Sequence, residues 1–221
     1  MPRRQVAAYA CAMADLGLFP LRLVLFPGER LPLHIFEPRY RELIGECLDT
    51  DGEFGILQAA EDGLREVGTR ARVAEVLERL EDGRLNIVVE GRSRFRLVEL
   101  TEGRSFHTGR VEAVEDDPEA DPPADADAAR ALVLLGALVE DAGVELELPP
   151  ADDPELSFAV AARVELELDE EQELLELRSE GARLARLVVL LEAAAERQRI
   201  QKQAAGRAKT NGHLPHTPKL P

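Results

Sequence analysis

The nucleophiles, bases and metal ligands of this 221-residue chain sit where little chemistry is open to them. Every lysine (Lys202, Lys209 and Lys219) lies close to the C-terminus. A phosphate-binding P-loop needs GxxxxGK[ST], so that a lysine reaches the phosphates from a Gly-rich turn, and the sequence contains no such segment. A Ser-Lys dyad needs a lysine desolvated in a structured site, and residues 1–201 contain none. Neither ATP hydrolysis of the P-loop type nor Ser-Lys peptidase chemistry is expected. The serines are Ser93, Ser105, Ser157 and Ser179. Ser93, in GRSRF, lacks the second glycine of a nucleophile elbow and falls in a strand pattern. Ser157 and Ser179 read as first-turn and cap residues of helices. The members of a Ser-His-Asp triad meet in space and not in sequence, so a hydrolase with a dispersed site stays open as an alternative.

Of the four histidines, His34 and His107 fall in strand patterns, and His213 and His216 follow the last patterned segment. With no HExxH and no paired CxxC, neither a metal nor another cofactor is expected. Cys11 and Cys47 form no disulfide framework and read as free thiols in a reducing compartment. Acidic pairs such as Glu170-Glu171 read as solvated faces.

Composition narrows the partners. The net charge of −16 repels phosphate backbones and anionic lipid. Nucleic acid and membrane are therefore disfavoured, and neutral, apolar or basic partners are easier to accommodate. No apolar run approaches the roughly 18 residues of a membrane span. Residues 1–14 mimic a secretion signal, but their apolar part is short and mostly alanine, so a cytoplasmic protein is expected. Met13 stands just before the first well-patterned segment and is a candidate translation start, which the intact mass of the native protein would reveal.

These residues must be positioned by a strand-rich first half and a helical second half. Residues 21–26 (LRLVLF) read as a first strand ended by the turn pair Pro27-Gly28. A second extended segment covers 31–36, where Pro32 argues for an edge or a bulge. Pro38 then opens a helix with Tyr40, Leu43, Ile44 and Cys47 on one face. Strands follow at 54–58, 71–80, 85–90, 91–100 and 106–114, and Asp82-Gly83 marks the clearest hairpin. Six or seven strands with one embedded helix predict a small closed or half-closed β-barrel.

At 115–127 the composition changes to EDDPEADPPADAD, an acidic linker without apolar anchors. Apolar residues at 128, 131, 132, 135, 138 and 139 then predict a helix stopped by Gly143. A shorter helix begins at Asp153-Pro154. Asp169 and Gln172 suggest a capping box for a third, and Ser179 caps a fourth bearing Leu184, Leu187, Val188 and Leu191. The division expected is an extension at 1–17, a barrel at 18–114, the linker at 115–127, a helical bundle at 128–203 and a disordered basic tail at 204–221. The fold class is α+β.

Residues 18–44, LFPLRLVLFPGERLPLHIFEPRYRELI, resemble the opening signature of the Lon protease N-terminal, substrate-binding domain family. The resemblance is carried by Phe19-Pro20-Leu21, Leu25-Phe26-Pro27-Gly28, Leu31-Pro32-Leu33, Ile35-Phe36-Glu37 and Arg39-Tyr40-Arg41. Further pieces are Phe54-Gly55-Ile56, Gly68, Ala74-Glu75-Val76, Glu81-Asp82-Gly83-Arg84 and Gly91-Arg92-Ser93-Arg94-Phe95-Arg96. The pattern departs from the family at Ser105-Phe106-His107, where a Pro-Tyr pair is expected. The resemblance implies a PUA-like β-barrel followed by helices, and a non-catalytic protein that binds unfolded or damaged polypeptides or joins a protease complex. The ATPase and protease modules of full-length Lon are not expected to transfer.

Most signature residues (Phe26, Pro27, Gly28, Pro32, Phe36, Glu37, Arg39, Tyr40, Gly91, Arg94 and Phe95) read as structural. Phe19, Leu31 and Tyr40 are the candidates for a peptide-binding groove between barrel and bundle, because exposed apolar residues mark partner sites. One alternative remains beside the dispersed hydrolase. PUA-like barrels can bind RNA, and Arg92, Arg94 and Arg96 alternate along one strand as a possible phosphate track.

Overall fold

A computed structural model describes residues 14–211, and Met13 lies outside them. The chain order is β1 (Ala14–Leu21), β2 (Arg30–Ile35), α1 (Pro38–Thr50), β3 (Phe54–Ala60), β4 (Gly63–Leu64), β5 (Val67–Arg79), β6 (Leu85–Thr101) and β7 (His107–Ala113). The helical half follows as α2 (Asp125–Ala142), α3 (Leu156–Ala161), α4 (Leu168–Glu176) and α5 (Glu180–Asn211).

The strands form one mostly antiparallel sheet in the order β1-β7-β6-β5-β3-β4, and a parallel pairing of β1 with β3 closes the circuit. β2 lies outside the circuit as an edge on β6, where Pro32 cannot donate to a further strand. β6 runs through positions expected as two strands, and register shifts in its pairings with β5 and β7 accompany its length. Such shifts bend a strand.

Burial follows the apolar pattern. Tyr40, Leu43, Ile44 and Cys47 of α1 pack with Phe54, Ile56, Ile87 and Val89 of the sheet. Leu16, Leu18, Leu57, Phe95 and Val111 form a second, smaller sheet core. A third core joins α2, α3, α4 and α5 with Val24, Phe26 and Val67.

Residues 22–26 are not a strand. The first strand is β1, which begins earlier and ends at Leu21. The alternation in 23–26 has another cause: Leu23 and Leu25 belong to the sheet core, whereas Val24 and Phe26 belong to the helical core. The segment is a strap between two hydrophobic interiors. Thr69 Oγ1 donates to the Leu25 carbonyl at 2.5 Å, and the strap ends in the Pro27-Gly28 turn. There the Gly28 N–H donates to the Gly91 carbonyl at 3.0 Å and the Gly91 N–H to the Glu29 carbonyl at 2.9 Å. Gly28 has φ +75°, the left-handed region that suits glycine.

The acidic segment after β7 is anchored, contrary to expectation. Asp117 N–H donates to the Arg178 carbonyl at 2.9 Å, and the Arg178 side chain donates to the Glu115 carbonyl at 2.9 Å. Gly143 ends α2 in the left-handed conformation as expected. The capping box of α4 is Glu167 with Glu170, two residues before the expected pair. Gln172 is buried instead, and its amide donates to the Val67 carbonyl of β5 at 3.1 Å. Ser179 does cap α5, accepting from the Ala182 N–H at 3.2 Å. Residues 204–211, expected as disordered tail, are the last turns of α5. Ala204, Ala205, Arg207, Ala208 and Lys209 there favour helix. The rest of the tail, 212–221, lies outside the described residues.

Gly91 fixes the strap. A Cβ on it would stand 2.1 Å from the Phe26 carbonyl oxygen, a backbone atom that cannot swing away. Gly91→Ala is expected to destabilise the protein by about 2–3 kcal/mol, measured as a lower midpoint of urea unfolding. An unchanged midpoint would mean that the strap yields freely.

Candidate functional site

The centre of the junction between sheet and helices, where an open groove is expected, is filled, and only shallow depressions remain at its margins, beside Pro27-Gly28 and beside Arg65. Its centre is a pair of buried arginines, Arg94 from β6 and Arg183 from α5. Both reach Asp116 on the acidic connection. Arg183 makes a bidentate pair with both Asp116 oxygens at 2.7 Å, and Arg94 Nη2 donates to the same carboxylate. Arg94 Nη1 also donates to the Leu175 and Leu177 carbonyls, at 2.8 and 2.6 Å, which satisfies acceptors left open at the end of α4. Arg183 adds Glu180 Oε2 at 2.8 Å and Ser157 Oγ at 3.0 Å. Both guanidiniums lie against the Phe158 ring, 5.4 Å (Arg94) and 4.3 Å (Arg183) from its centroid. Phe158 in turn stacks on Phe26 of the strap at 5.6 Å.

Burial and the neighbouring Arg183 charge lower the pKa of Arg94. Burial also opposes the charge on Arg183, but Asp116 and Glu180 outweigh it and raise its pKa. Burial opposes the Asp116 carboxylate as well, and the two arginines hold its pKa below the ordinary carboxylate range.

The arginines at 92, 94 and 96 therefore form no phosphate track. Arg94 is buried, Arg92 pairs with Glu90 at 3.0 Å, and Arg96 pairs with Glu66 at 3.1 Å and Glu112 at 3.7 Å. Ser157 Oγ donates to Glu180 at 2.6 Å and belongs to this ion network. Ser93 is exposed on β6. Among the described residues no group of three or more His, Cys, Asp or Glu could hold a metal ion, and no helix is long and apolar enough to cross a membrane. Cys47 is buried in the sheet core, and burial pushes its thiol up to about 11.

Two of the three residues expected to line a groove are core residues. Phe19 and Tyr40 are 6% and 5% exposed and stack on each other at 4.0 Å, beneath α1 and away from the helical half. Leu31 is part-buried against the same core. The reason is positional: Tyr40 falls on the buried face of α1, and Phe19 pairs through β1 with Ile56 of β3. Of the signature residues, Phe26, Pro27, Gly91, Arg94 and Phe95 are buried, and Gly28 forms the docked turn. Arg39 pairs with Glu37 at 2.9 Å and covers the Tyr40 ring at 4.6 Å, while Arg41 donates to the Asp82 carbonyl at 2.6 Å.

Phe36 is different. It is 59% exposed, just past the end of β2. Pairing of Leu33 with Ile87 turns the odd-numbered residues of β2 inward. Pro32, His34 and Phe36 are left on the outer face. His34 stacks on Phe36 at 5.9 Å and is held by Asn86, with Nδ1 2.6 Å from Oδ1. Across the sheet Leu77, 55% exposed, sits at a register shift of β5. Pro32, Leu33, His34 and Leu77 border a shallow depression of about 560 Å³. Sequence reasoning classed Phe36 as structural; the inward alternation of Leu31, Leu33 and Ile35 was the available signal that it faces out.

The overall fold, a mostly antiparallel sheet with helices, is shared with solved Lon N-terminal domains. The Lon N-terminal domain protein from Xanthomonas campestris superposes with a TM-score of 0.64 at 25% identity, covering 80% of this chain and 98% of that one. The N-terminal domain of Mycobacterium avium complex Lon protease shares the fold, with a TM-score of 0.65 at 20% identity. The chain belongs to the ATP-dependent protease La (LON) substrate-binding domain family, whose model matches residues 15–193. It is 31% identical over 198 residues to a Lon protease of Anaeromyxobacter dehalogenans and 30% identical over 237 residues to one of Paraburkholderia phytofirmans. It covers 23% and 28% of their lengths, and they align with 80% and 93% of this chain. The chain thus spans about a quarter of the length of these relatives.

One carboxylate at the junction has a measurable signature. Burial, with the charges of Glu29 and Glu170, pushes half-buried Glu171 of α4 from the ordinary 4.5 up to about 7. The folded state then binds a proton that the unfolded chain has released, so stability falls as pH rises from about 4.5 to 7. Glu171→Gln is expected to leave stability unchanged near pH 4 and raise it by about 1 kcal/mol at pH 8, after allowing for solvent screening. Thermal melts at the two pH values measure this, and an equal effect at both would refute the assignment.

Proposed function

We propose that this chain is a non-catalytic recognition protein of the Lon N-domain type, binding unfolded or damaged polypeptides in the cytoplasm as part of protein quality control, alone or beside a protease. The observation that carries the reading is Phe36, a large aromatic held exposed by the edge strand, inside the 18–44 segment whose residues carry the resemblance to the family. An exposed apolar patch of this kind usually marks a partner site. Leu77 and the Pro32 ring extend it, and the net charge of −16 favours clients that are not acidic. RNA is disfavoured by the same charge and by the carboxylate partners of Arg92 and Arg96. A dispersed hydrolase is disfavoured because the buried serine, Ser157, is bonded to Glu180 and Arg183 and not to a histidine.

Titrating a fluorescently labelled unfolded polypeptide, with its folded form as control, tests the reading. The chain is expected to bind the unfolded form selectively. Phe36→Ser combined with Leu77→Ser should weaken binding by about tenfold or more, through lost apolar burial. Its melting temperature should stay put, because both residues are exposed. Equal binding of both forms, or of neither, would overturn the reading.

A further inference from the structure

The helical half carries a second apolar surface with a different character. Between Gly143, which ends α2, and buried Pro149, the chain runs as Val144-Glu145-Leu146-Glu147-Leu148 without joining a helix or the sheet. Val144 is 58% exposed, and Leu146 and Leu148 are also exposed. Among the described residues, no backbone hydrogen bond involves residues 145–148, and the Val144 N–H alone turns back to Val139. Strict apolar-acidic alternation is the pattern of a strand with two distinct faces, yet this one has no neighbour.

Open space flanks it on both sides. One depression, of about 490 Å³, lies between it and Val139 and Glu140 of α2, and Leu148 packs beside Gly136 at its edge. The other, of about 670 Å³, has Leu138, Val164 and Leu166 among its walls and Arg197 of α5 at its edge. An added strand needs a free backbone edge and about 5 Å of lateral room. Both are present.

Charge chooses the occupant. Glu140, Glu145, Glu147, Glu165 and Glu167 border the two depressions against Arg163 and Arg197, so the rim is acidic on balance. A second copy pairing through the same segment would bring Glu145 and Glu147 against their own kind, and like charges across paired strands are unfavourable. A segment with basic residues between apolar ones meets both demands. Its apolar side chains lie on the floor with Val144, Leu146 and Leu148, and its cations meet the rim.

We propose that residues 144–148 and the flanking groove of the helical half bind an extended polypeptide segment in which apolar and basic residues alternate, added as a strand along 145–148. The proposal rests on the polypeptide recognition argued above and places part of it on a surface separate from Phe36.

The test uses the full chain and two labelled heptapeptides, one alternating lysine with valine and the other glutamate with valine. Fluorescence anisotropy is followed at low and moderate salt. The wild-type chain is expected to bind the lysine peptide about tenfold or more tightly than the glutamate peptide, with the difference shrinking as salt rises. Glu145→Lys with Glu147→Lys should reverse the preference, and Leu146→Ser should weaken both peptides. Phe36→Ser should leave lysine-peptide binding unchanged. Circular dichroism melts confirm that each variant is folded, as exposed substitutions should be. The proposal is overturned if charge reversal leaves the preference in place, if Phe36→Ser alone abolishes lysine-peptide binding, or if neither peptide binds. In that last case, retained binding of the unfolded chain keeps polypeptide recognition standing, and its loss removes both.

Discussion

Two arginines withdrawn from water share one carboxylate, and the arrangement of the two halves depends on that economy. Desolvating a guanidinium costs several kcal/mol unless an anion and further acceptors compensate it. Here Asp116 serves both Arg94 and Arg183, the Leu175 and Leu177 carbonyls fill the donors that remain on Arg94, and Glu180 and Ser157 fill those on Arg183. The Phe158 ring supplies a face to each cation. Because these groups come from β6, the connection, α3, the end of α4 and the start of α5, one network fixes five segments in a single geometry. No one of them could shift without stranding a buried charge, which is costlier than losing an apolar contact.

The strap at 23–26 is the apolar counterpart of that network. Alternate residues enter different cores, so sliding the segment by one residue would exchange Leu25 with Phe26 and unpack both interiors. The Gly28 and Gly91 backbones lock the register from the far end. The polar hub and the strap meet where Phe26 stacks on Phe158. The centre of the junction is therefore packed and charge-compensated, and the depressions left at its margins, of about 310 Å³ beside Pro27-Gly28 and about 370 Å³ beside Arg65, are smaller than those on the outer faces.

How much of this was legible follows from what each signal measures. The face of α1 was, because Tyr40, Leu43, Ile44 and Cys47 repeat at helical spacing and nothing competes with that pattern. The 81–84 turn and the Gly143 stop were, because each is chemistry local to a few residues. The strap was not, since alternation reports two environments on either side of the backbone and cannot say whether the second is solvent or another core. Asp116 was hidden by composition: one buried acid among EDDPEADPPADAD looks like its neighbours until Arg94 and Arg183 are brought to it. Arg94 was hidden likewise between Arg92 and Arg96. For the candidate site, an expectation of exposed apolar residues pointed to Phe19, Leu31 and Tyr40, whereas exposure in β2 depends on strand parity, set by a pairing with β6 that is some fifty residues away in sequence.

Parity also explains why an apolar surface survives on β2 at all. Both faces of this strand carry large residues, Leu31, Leu33 and Ile35 on one and Pro32, His34 and Phe36 on the other, so the sheet core can take only one set. A strand selected for stability alone would place polar residues on the outer face, as β5 largely does with Arg72, Glu75 and Glu78. Retaining an aromatic there invites association, and the edge position of β2 adds unpaired backbone to that risk. Pro32 lowers the backbone risk by removing a donor without making the face less apolar. Side-chain contact is thereby favoured over indiscriminate strand addition at this edge, while the segment at 144–148, with no proline between Val144 and Leu148, keeps its backbone free and guards it with charge instead. As the proposed binding surfaces, the two would solve the same problem, staying sticky to a chosen partner without aggregating, by opposite means.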